Sequence, residues 1–334
     1  MALNPVLNNK IIENIPKISK IYNTIINNIN HYIDHIIYND NILVDNMISI
    51  VMTTNNRIKQ TIFTLDTIKL SSYQNIQIVI VDDSNNGFID ENILQKYPFR
   101  IDYIKIKEKN RDWINPCVNY NIGFRYIKGT YVIIQNAEVC HIGDIVSYVG
   151  QHSKEGTYLV FDVINTGSYN NNNVLYTLLK DDSNGIKGFG VNDIRNLLNY
   201  KYFLWYQHPK YRPANFHFLT AIHVNDLNKM EHGFDYDFSL GRAYDDDEFI
   251  TRILFDLKLN ILNIPSQFKL MGIHQHHDKV MLNTTQKQYD ESTIINKYLL
   301  EKKGKYLQKN GKWIYLYNSP NLNDDFRSVF ETNN

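Results

Sequence analysis

Short apolar runs alternate with stretches of helical periodicity through the middle of the chain. Runs too short for a helix predict buried strands at 48–52, 76–81, 101–106 and 131–134, and the alternation breaks up after 158–162. Helical periodicity predicts helices at 58–70 and 116–128. This alternation predicts an α/β fold with a mostly parallel sheet flanked by helices, and it places ligands at the carboxyl ends of the strands.

The two ends of the chain have different patterns. Residues 1–45 carry isoleucine at helical spacing and predict one or two amphipathic helices that pack on the body of the protein or on a second subunit, as in a homodimer. Helices at 246–257 and 293–303, a strand at 259–264 and a polar tail at 321–334 follow later. We therefore expect an N-terminal helical extension (1–45), a main domain (46–285) with halves 46–150 and 151–285, and a C-terminal helix and tail (286–334).

Composition narrows the class of protein. The chain has 334 residues with 35 basic and 35 acidic side chains, so a zero net charge argues against a nucleic-acid binder that works by bulk electrostatics. Two cysteines exclude a disulfide scaffold. No apolar run is long enough for a membrane span, and no signal peptide is recognisable, so we expect a cytoplasmic, soluble protein. Asparagine is overused, and we interpret the run at 170–173 as a loop.

Polar side chains follow two of the predicted strands. Asp82 and Asp83 come directly after one strand and could accept hydrogen bonds from a nucleotide, although an ordinary Asx turn would use the same residues. Asn136 and Glu138 end another strand and point the same way in an extended chain. Such an oxygen pair suits a divalent cation that holds a diphosphate; the alternative is a solvated strand end.

Two further clusters occur later in the chain. Asp245, Asp246, Asp247 and Glu248 are consecutive, and their mutual repulsion predicts a raised pKa suited to a general base. The alternative is an acidic first turn favoured by the helix dipole. Glu248 and Arg252 are four apart and are expected to pair.

A histidine cluster follows the acidic cluster. His274 and His276 alternate on one face and could complete a cation shell with Glu138, unless they form only a surface cluster.

Taken in order, these motifs resemble those of a family 2 glycosyltransferase of the GT-A fold over roughly residues 46–280. Residues 49–57 are similar to the family's opening strand, 82–84 to its Asp-Asp-Gly-Ser turn, 119–123 to its Asn-x-Gly helix and 136–138 to its Asp-x-Asp motif. Residues 233–235 resemble its Gly-Gly-Phe-Asp segment, and 245–252 resemble its Glu-Asp-x-Asp…Arg motif. The segment 271–279, beginning Met-Gly-Ile-His, resembles the metal-binding end of β-1,4-galactosyltransferases.

The resemblance implies an enzyme that moves a sugar, with inversion, from a nucleotide sugar to a hydroxyl of a glycan or other acceptor. A UDP-sugar is the expected donor, with Mn2+ or Mg2+ as the divalent metal. The residues that the resemblance implies are Asp246 and Asp245 for catalysis; Thr53, Asn55, Arg57, Asp82, Asp83, Asn121 and Asn136 for the nucleotide; Glu138 with His274 or His276 for the metal; and Trp205, Gly233, Phe234 and Asp235 for the acceptor. Phe203 and Tyr206 could add to the acceptor platform, or these aromatic residues could belong to the core.

Two departures from the family pattern limit this prediction. Asn136 stands where the family has its first aspartate, so metal binding could be weaker or dispensable. The acidic motif begins with aspartate instead of glutamate, so the alignment with the family motif can shift by one residue. Either Asp245 or Asp246 can therefore be the base.

Two other functions remain open. A nucleotidyltransferase on a related sheet is disfavoured, since residues 53–57 contain no glycine. An inactive carbohydrate- or partner-binding module would keep the fold without turnover.

Overall fold

The computed structural model describes residues 5–40, 45–85, 87–107, 112–181, 205–209, 218–231, 233–278, 285–303, 306–309 and 312–315. The helices are α1 (Pro5–Asn27), α2 (Ile29–Tyr32), α3 (Ile58–Ile68), α4 (Glu91–Leu94), α5 (Cys117–Phe124), α6 (Ile145–His152), α7 (Tyr169–Asp181), α8 (Val224–Asn228), α9 (Asp245–Thr251) and α10 (Gln286–Lys303). The strands are β1 (Ile33–Tyr38), β2 (Ile48–Thr54), β3 (Ile76–Asp82), β4 (Arg100–Ile106), β5 (Tyr131–Asn136), β6 (Val139–Ile142), β7 (Thr157–Phe161), β8 (Val163–Asn165), β9 (Trp205–Gln207), β10 (Leu219–His223), β11 (Asn260–Ile264), β12 (Met271–His274), β13 (Tyr306–Lys309) and β14 (Lys312–Tyr315).

The main sheet has eight strands in the order β1-β4-β3-β2-β5-β10-β7-β11. Strands β4, β3, β2 and β5 are parallel to one another, as are β7 and β11, while β1 and β10 run antiparallel to their neighbours. The predicted α/β fold with a mostly parallel sheet flanked by helices is therefore confirmed.

The central strands extend one or two residues beyond their apolar runs. In the ladder, Thr54 lies opposite Asp82, and Thr53 lies opposite Asn136. Backbone pairing with both neighbours continues past the last apolar side chain, which is why the apolar pattern alone ended these strands early. The polar residues at the ends of β2, β3 and β5 consequently lie side by side.

A second, four-stranded sheet in the order β6-β12-β8-β9 lies beyond the end of β5. Its antiparallel register places His274 of β12 opposite Val139 of β6. Glu138 directly precedes Val139, so this pairing brings the late histidine segment beside the end of β5.

The N-terminal segment is helical at first, as predicted, but residues 33–38 form a strand. Ile21, Ile25 and Ile29 are buried in a core cluster of the main domain, so the isoleucine face packs on the body of the protein. The helical interpretation of 33–38 is wrong because β1 pairs with β4, and His35 lies 2.8 Å from Asp102 of that strand. Isoleucine at 33, 36 and 37 fits either period, and the tertiary pairing decides between them.

Four other predictions need correction. The asparagine run 170–173 lies in α7 and is not a loop. The predicted helix 116–128 ends at Phe124, and the predicted helix 293–303 begins at Gln286. The predicted helix 246–257 is α9, which continues as a π-helix over Arg252–Asp256. In the described part of the chain, no helix is both long and apolar enough to cross a membrane.

Candidate active site at the strand ends

Asp83 lies at the end of β3 between two amide side chains. Asn55 donates to Oδ1 of Asp83 at 2.6 Å, and Asn119 of α5 donates to Oδ2 at 2.7 Å. The backbone N–H of Asp83 donates to the carbonyl of Thr54, which ties the two strand ends together. The structure thus brings Asn55 and Asp83 together, two of the residues expected at the nucleotide.

Asp82, in contrast, is fully buried. Its two carboxylate oxygens accept hydrogen bonds from the Tyr103 hydroxyl at 2.5 Å and from the Ser84 backbone N–H at 3.0 Å. Burial raises the pKa of Asp82, and these hydrogen bonds oppose the rise. These contacts give Asp82 a supporting position beneath the site and leave Asp83 as the carboxylate beside it.

A second group of side chains surrounds Glu138, which is almost fully buried. Arg57 donates from Nη1 to Oε1 of Glu138 at 2.6 Å. His274 Nε2 and His277 Nε2 lie 3.3 Å and 3.4 Å from the same oxygen. Possible ligand atoms of Glu138, His274 and His277 all lie within 4.8 Å of one another, a geometry that could hold a metal ion.

The sequence placed His276 in this cluster, and the structure places it elsewhere. Strand β12 ends at His274, so the alternation of an extended chain does not continue to His276. The ring of His276 packs edge-on against Tyr169, and its backbone N–H donates to Thr166 and Asn172. His277 takes the place expected of His276.

Gln275 holds the histidine segment against the site. Its backbone N–H and its side-chain amide both donate to the carbonyl of Glu138, each at 3.0 Å. The same amide also donates to Gln60 and Thr64 of α3, and Gln275 is fully buried. The two histidines are therefore fixed relative to Glu138 by the backbone.

The side chains around Glu138 suit a divalent cation. Oε2 of Glu138 and both ring nitrogens of His274 are buried without a hydrogen-bond partner among the described residues. Burial alone would raise the pKa of Glu138, but the charge of Arg57 and the ring nitrogens of His274 and His277 close to its carboxylate hold that pKa well below its ordinary value. Burial lowers the pKa of His274, which favours the neutral ring that binds metals. A carboxylate and two neutral imidazoles form a donor set that binds divalent transition metals.

Asn136, expected at the ribose, lies half-buried at the end of β5 beside Tyr120 of α5. The Tyr120 hydroxyl donates to the Gln135 carbonyl at 2.8 Å and lies 3.2 Å from Oδ1 of Asn136. The pKa of Tyr120 is raised by burial and then by the negative charges of Glu138 and Asp245. Through these contacts Tyr120 joins α5 to the end of β5, two residues before Glu138.

The acidic cluster forms the first turn of α9, and all four of its carboxylates are buried. Burial raises the pKa of Asp246 well above its ordinary value, and the charges of Asp247 and Asp245 raise it further. Glu248 pairs with Arg252 through two hydrogen bonds of 2.7 Å, which confirms that expected pair. A raised pKa brings a carboxylate into the range that suits a general base near neutral pH.

The turn before α9 is held by the C-terminal helix. Ala243 and Tyr244 both adopt left-handed backbone angles, with φ of 60° and 65°. Asn296 of α10 donates to the carbonyl of Ala243 at 2.9 Å. Consecutive left-handed residues other than glycine are costly and persist where neighbouring contacts fix them.

Helix α5 connects these clusters. Asn115, just before it, donates to Asp245, while Asn119 contacts Asp83 and Tyr120 contacts Asn136. Asn121, expected at the nucleotide, instead exchanges two hydrogen bonds of 2.8 Å with the backbone of Phe234. The structure thus gives Asn121 a bracing contact with the segment before α9.

The segment 233–235, expected at the acceptor, is packed against α5 and α10. Gly233 has a φ of 86°, and a Cβ there would lie 2.5 Å from the Phe124 ring. Phe234 is buried and stacks on Phe249, while Asp235 accepts a hydrogen bond of 2.5 Å from Lys303. These packing contacts explain the residue types found in the segment 233–235. Contact of the segment with an acceptor stays a prediction.

The remaining acceptor candidates lie near β9. Trp205 is half-buried and packs on His208, and Tyr206 stacks on His274 with ring centroids 3.9 Å apart. Phe203 lies outside the described residues. Tyr206 therefore borders the cation cluster, and a role of Trp205 in acceptor binding stays a prediction.

Sequence reasoning missed several residues of the site, namely Asn115, Asn119, Tyr120, Gln275 and His277. Asn119 was in a recognised motif, but its neighbour two positions later was chosen instead. Tyr120 lies in that same motif, and Gln275 and His277 lie in the recognised segment 271–279. Their individual roles, like that of Asn115, depend on contacts across more than ten positions of sequence or on the exact end of β12.

Comparison with known families gives a match over the middle of the chain. Residues 49–211 match the family model described as "Glycosyl transferase family 2". The match spans β2 to β9 and includes Asp83, Glu138 and the residues between them. It ends before 245–252 and 271–277, so the similarity to β-1,4-galactosyltransferases stays a prediction. No curated protein sequence matches this chain.

Solved structures with a similar chain path include two that contain a nucleotide sugar. The mannosyltransferase PcManGT from Pyrobaculum calidifontis, in complex with GDP-Man and Mn2+, is 13% identical with a TM-score of 0.41, and the match covers 69% of this chain and 56% of that one. S. aureus TarS 1-349, in complex with UDP-GlcNAc, is 12% identical with a TM-score of 0.48, and the match covers 76% of this chain and 66% of that one. This chain thus spans less than two thirds of either solved chain.

Proposed function

We propose that this protein transfers a sugar, with inversion, from a nucleotide sugar to an acceptor hydroxyl, with a UDP-sugar as donor and a divalent cation at Glu138, His274 and His277. The observation that carries the proposal is the cluster around Glu138 of buried polar atoms that have no partner within the described segments, beside the strand ends that hold Asp83. The match of residues 49–211 to family 2 supports the same reaction.

The donor would lie across the ends of β2, β3 and β5. Asp83, held by Asn55 and Asn119, offers carboxylate oxygens to the nucleoside, and Asn136 with Thr53 lies where the ribose would follow. A cation bound at Glu138 would stabilise the negative charge that develops on the departing diphosphate. These residues account for donor binding with groups that already face one edge of the sheet.

Asp246 is the proposed base. Transfer forms a bond between the acceptor oxygen and the anomeric carbon and breaks the bond from that carbon to the diphosphate, so the acceptor must lose its proton. Burial and the neighbouring carboxylates raise the pKa of Asp246, which makes it a stronger base than an exposed aspartate. Asp245 is the alternative by one residue, and its hydrogen bond from Asn115 suits a carboxylate with a supporting role.

The test is release of UDP by the purified full chain from a panel of UDP-sugars with Mn2+, alongside the variants Asp246→Asn, Asp245→Asn and Glu138→Gln. We expect Asp246→Asn to lower turnover by roughly a hundredfold or more, the scale of a lost general base. Glu138→Gln should weaken the dependence on Mn2+ most. Asp256→Asn, an exposed acid on the π-helix that follows α9, is the matched control and should leave turnover unchanged.

The outcomes separate the alternatives. If turnover survives in Asp246→Asn but not in Asp245→Asn, the base is Asp245. Full activity in EDTA would overturn the cation site and leave a metal-independent transferase. Binding of UDP-sugars, seen as a rise in melting temperature, without any release of UDP would favour a binding module that keeps the fold.

A further inference from the structure

Arg57 occupies the carboxylate that the proposed cation would need. Its guanidinium donates to Oε1 of Glu138 at 2.6 Å, and the two histidines point at that same oxygen from 3.3 Å and 3.4 Å. Three potentially cationic groups therefore converge on one oxygen atom, while the other carboxylate oxygen is buried and has no partner in the part of the chain that the structure describes.

A divalent cation and Arg57 cannot both hold this carboxylate at low cost. Two positive groups a few ångströms apart repel strongly even at the effective dielectric of a protein surface. The charge of Arg57 must therefore be displaced or neutralised when a cation binds. A diphosphate is the chemical group that can do so, since it carries negative charge and accepts the paired N–H donors of a guanidinium.

The contacts around Arg57 allow such a movement of the side chain without movement of the backbone. Asn56, which precedes it, has a left-handed φ of 56°, and its backbone N–H donates to Ser84 at 2.7 Å. The Arg57 carbonyl accepts the first hydrogen bond of α3, from Thr61. The side chain itself is 22% exposed, and its buried Nε has no partner among the described residues.

We infer that Arg57 is a stand-in for the cation in the donor-free protein, and that it leaves Glu138 for the donor diphosphate when cation and nucleotide bind together. This inference rests on the proposed function, because it assigns the donor diphosphate as the group that receives Arg57. It makes the cation and the nucleotide mutually dependent ligands. Each should raise the affinity of the protein for the other by the same factor.

The experiment measures Mn2+ affinity directly, by electron paramagnetic resonance of free Mn2+ in titrations of the full chain, with and without UDP. We expect Arg57→Gln to bind Mn2+ in the absence of UDP roughly tenfold or more tightly than the natural protein, because a competing charge is removed. The further gain in Mn2+ affinity on adding UDP should shrink in this variant. Arg57→Lys keeps the charge and should stay close to the natural protein.

Lys59→Gln is the matched control for the loss of one positive charge nearby, because Lys59 lies two residues after Arg57, in the first turn of α3, and its amine lies over the Tyr176 ring. Lys59→Gln should change neither the Mn2+ affinity without UDP nor the gain in Mn2+ affinity on adding UDP. If Arg57→Gln does not fold, as judged by its melting curve, Arg57→Met serves as the second neutral variant.

Mn2+ affinity that is unchanged or weaker in the neutral variants would overturn the inference, as would equal gains on adding UDP in all variants. Absence of Mn2+ binding in every variant would also overturn it. Release of UDP from UDP-sugars by the natural protein in that case would show that the proposed transferase activity survives without this mechanism.

Discussion

The side-chain amide of Asn115 donates a hydrogen bond to Oδ1 of Asp245, 3.0 Å away, across 130 positions of sequence. Both side chains are buried, and Oδ1 of Asn115 accepts the backbone N–H of Cys117 at the start of α5. The amide is therefore held in one orientation by the helix that it precedes. Its hydrogen bond opposes the rise in pKa that burial imposes on Asp245.

Asn115 and Asn119 provide a matched pair of variants, because they reach different clusters from the same helix. We expect Asn115→Ala to lower turnover with little change in donor affinity, since it leaves the acidic cluster without its amide donor. It should also lower the free energy of unfolding by about 1–3 kcal/mol, the cost of a buried group left unpaired. Asn119→Ala should instead weaken donor binding. Steady-state kinetics with separate donor titrations measure both, and identical defects in the two variants would contradict this division.

Asp82 and Asp83 should separate stability from donor binding. Asp83→Asn removes the negative charge from the carboxyl group held by Asn55 and Asn119 and should weaken donor binding, measured as an increase in the apparent donor constant. Asp82→Ala leaves the buried hydroxyl of Tyr103 without its acceptor and should lower the melting temperature. Tyr103→Phe removes the donor instead and is the control for that second effect. A donor defect in Asp82→Ala at full stability would place Asp82 at the nucleotide as well.

Stability should depend on pH through Asp246. Burial and neighbouring charges raise its pKa in the folded protein, so its contribution is fully present below the ordinary aspartate pKa of about 4. That contribution is lost as the pH rises toward the folded pKa, at about 1.4 kcal/mol per pH unit. Asp246→Asn lacks this ionisation, so its melting temperature relative to the natural protein should rise as the pH increases above about 4. A difference that stays constant with pH would show that Asp246 ionises normally.

The N-terminal helix should contribute to stability within one chain. Ile25 is fully buried, and Ile25→Ala should cost about 2–5 kcal/mol of unfolding free energy. Ile12 is 53% exposed on the same helix, and Ile12→Ala is the control, with an expected change within about 0.5 kcal/mol. Chemical denaturation measures both. The predicted homodimer through the N-terminal helices is tested by sedimentation of each variant. A change in the sedimentation mass of Ile12→Ala would support that homodimer.

The apolar pattern predicted the centre of the sheet because β2, β3 and β5 are buried on both faces. Strand β1 lies at an edge of the sheet, and there the apolar pattern was ambiguous. A contact between His35 and Asp102, two residues far apart in sequence, decided the outcome. Periodicity carries no information about partners far along the chain. That limit explains why the strand positions were close and the first strand was missed.

For the candidate site too, the sequence predicted positions along the sheet better than individual side chains. Strand-end positions placed Asp83 and Glu138 at one edge of the sheet, because the ends of parallel strands share an edge. The choice between neighbours was less secure: His277, and not His276, faces Glu138, because β12 ends at His274. A single position at the end of a strand changes the direction of every side chain after it.

Pairing of β1 with β4 also has a consequence for synthesis of the chain. Ile33 is the register partner of Ile106, so the first strand emerges from a ribosome long before the strand that it must join. During that interval the apolar face of α1 has no surface to cover, and an exposed apolar helix is a target for chaperones and for aggregation. Slow translation between these two strands should therefore lower the yield of folded protein, although the finished molecule would be the same.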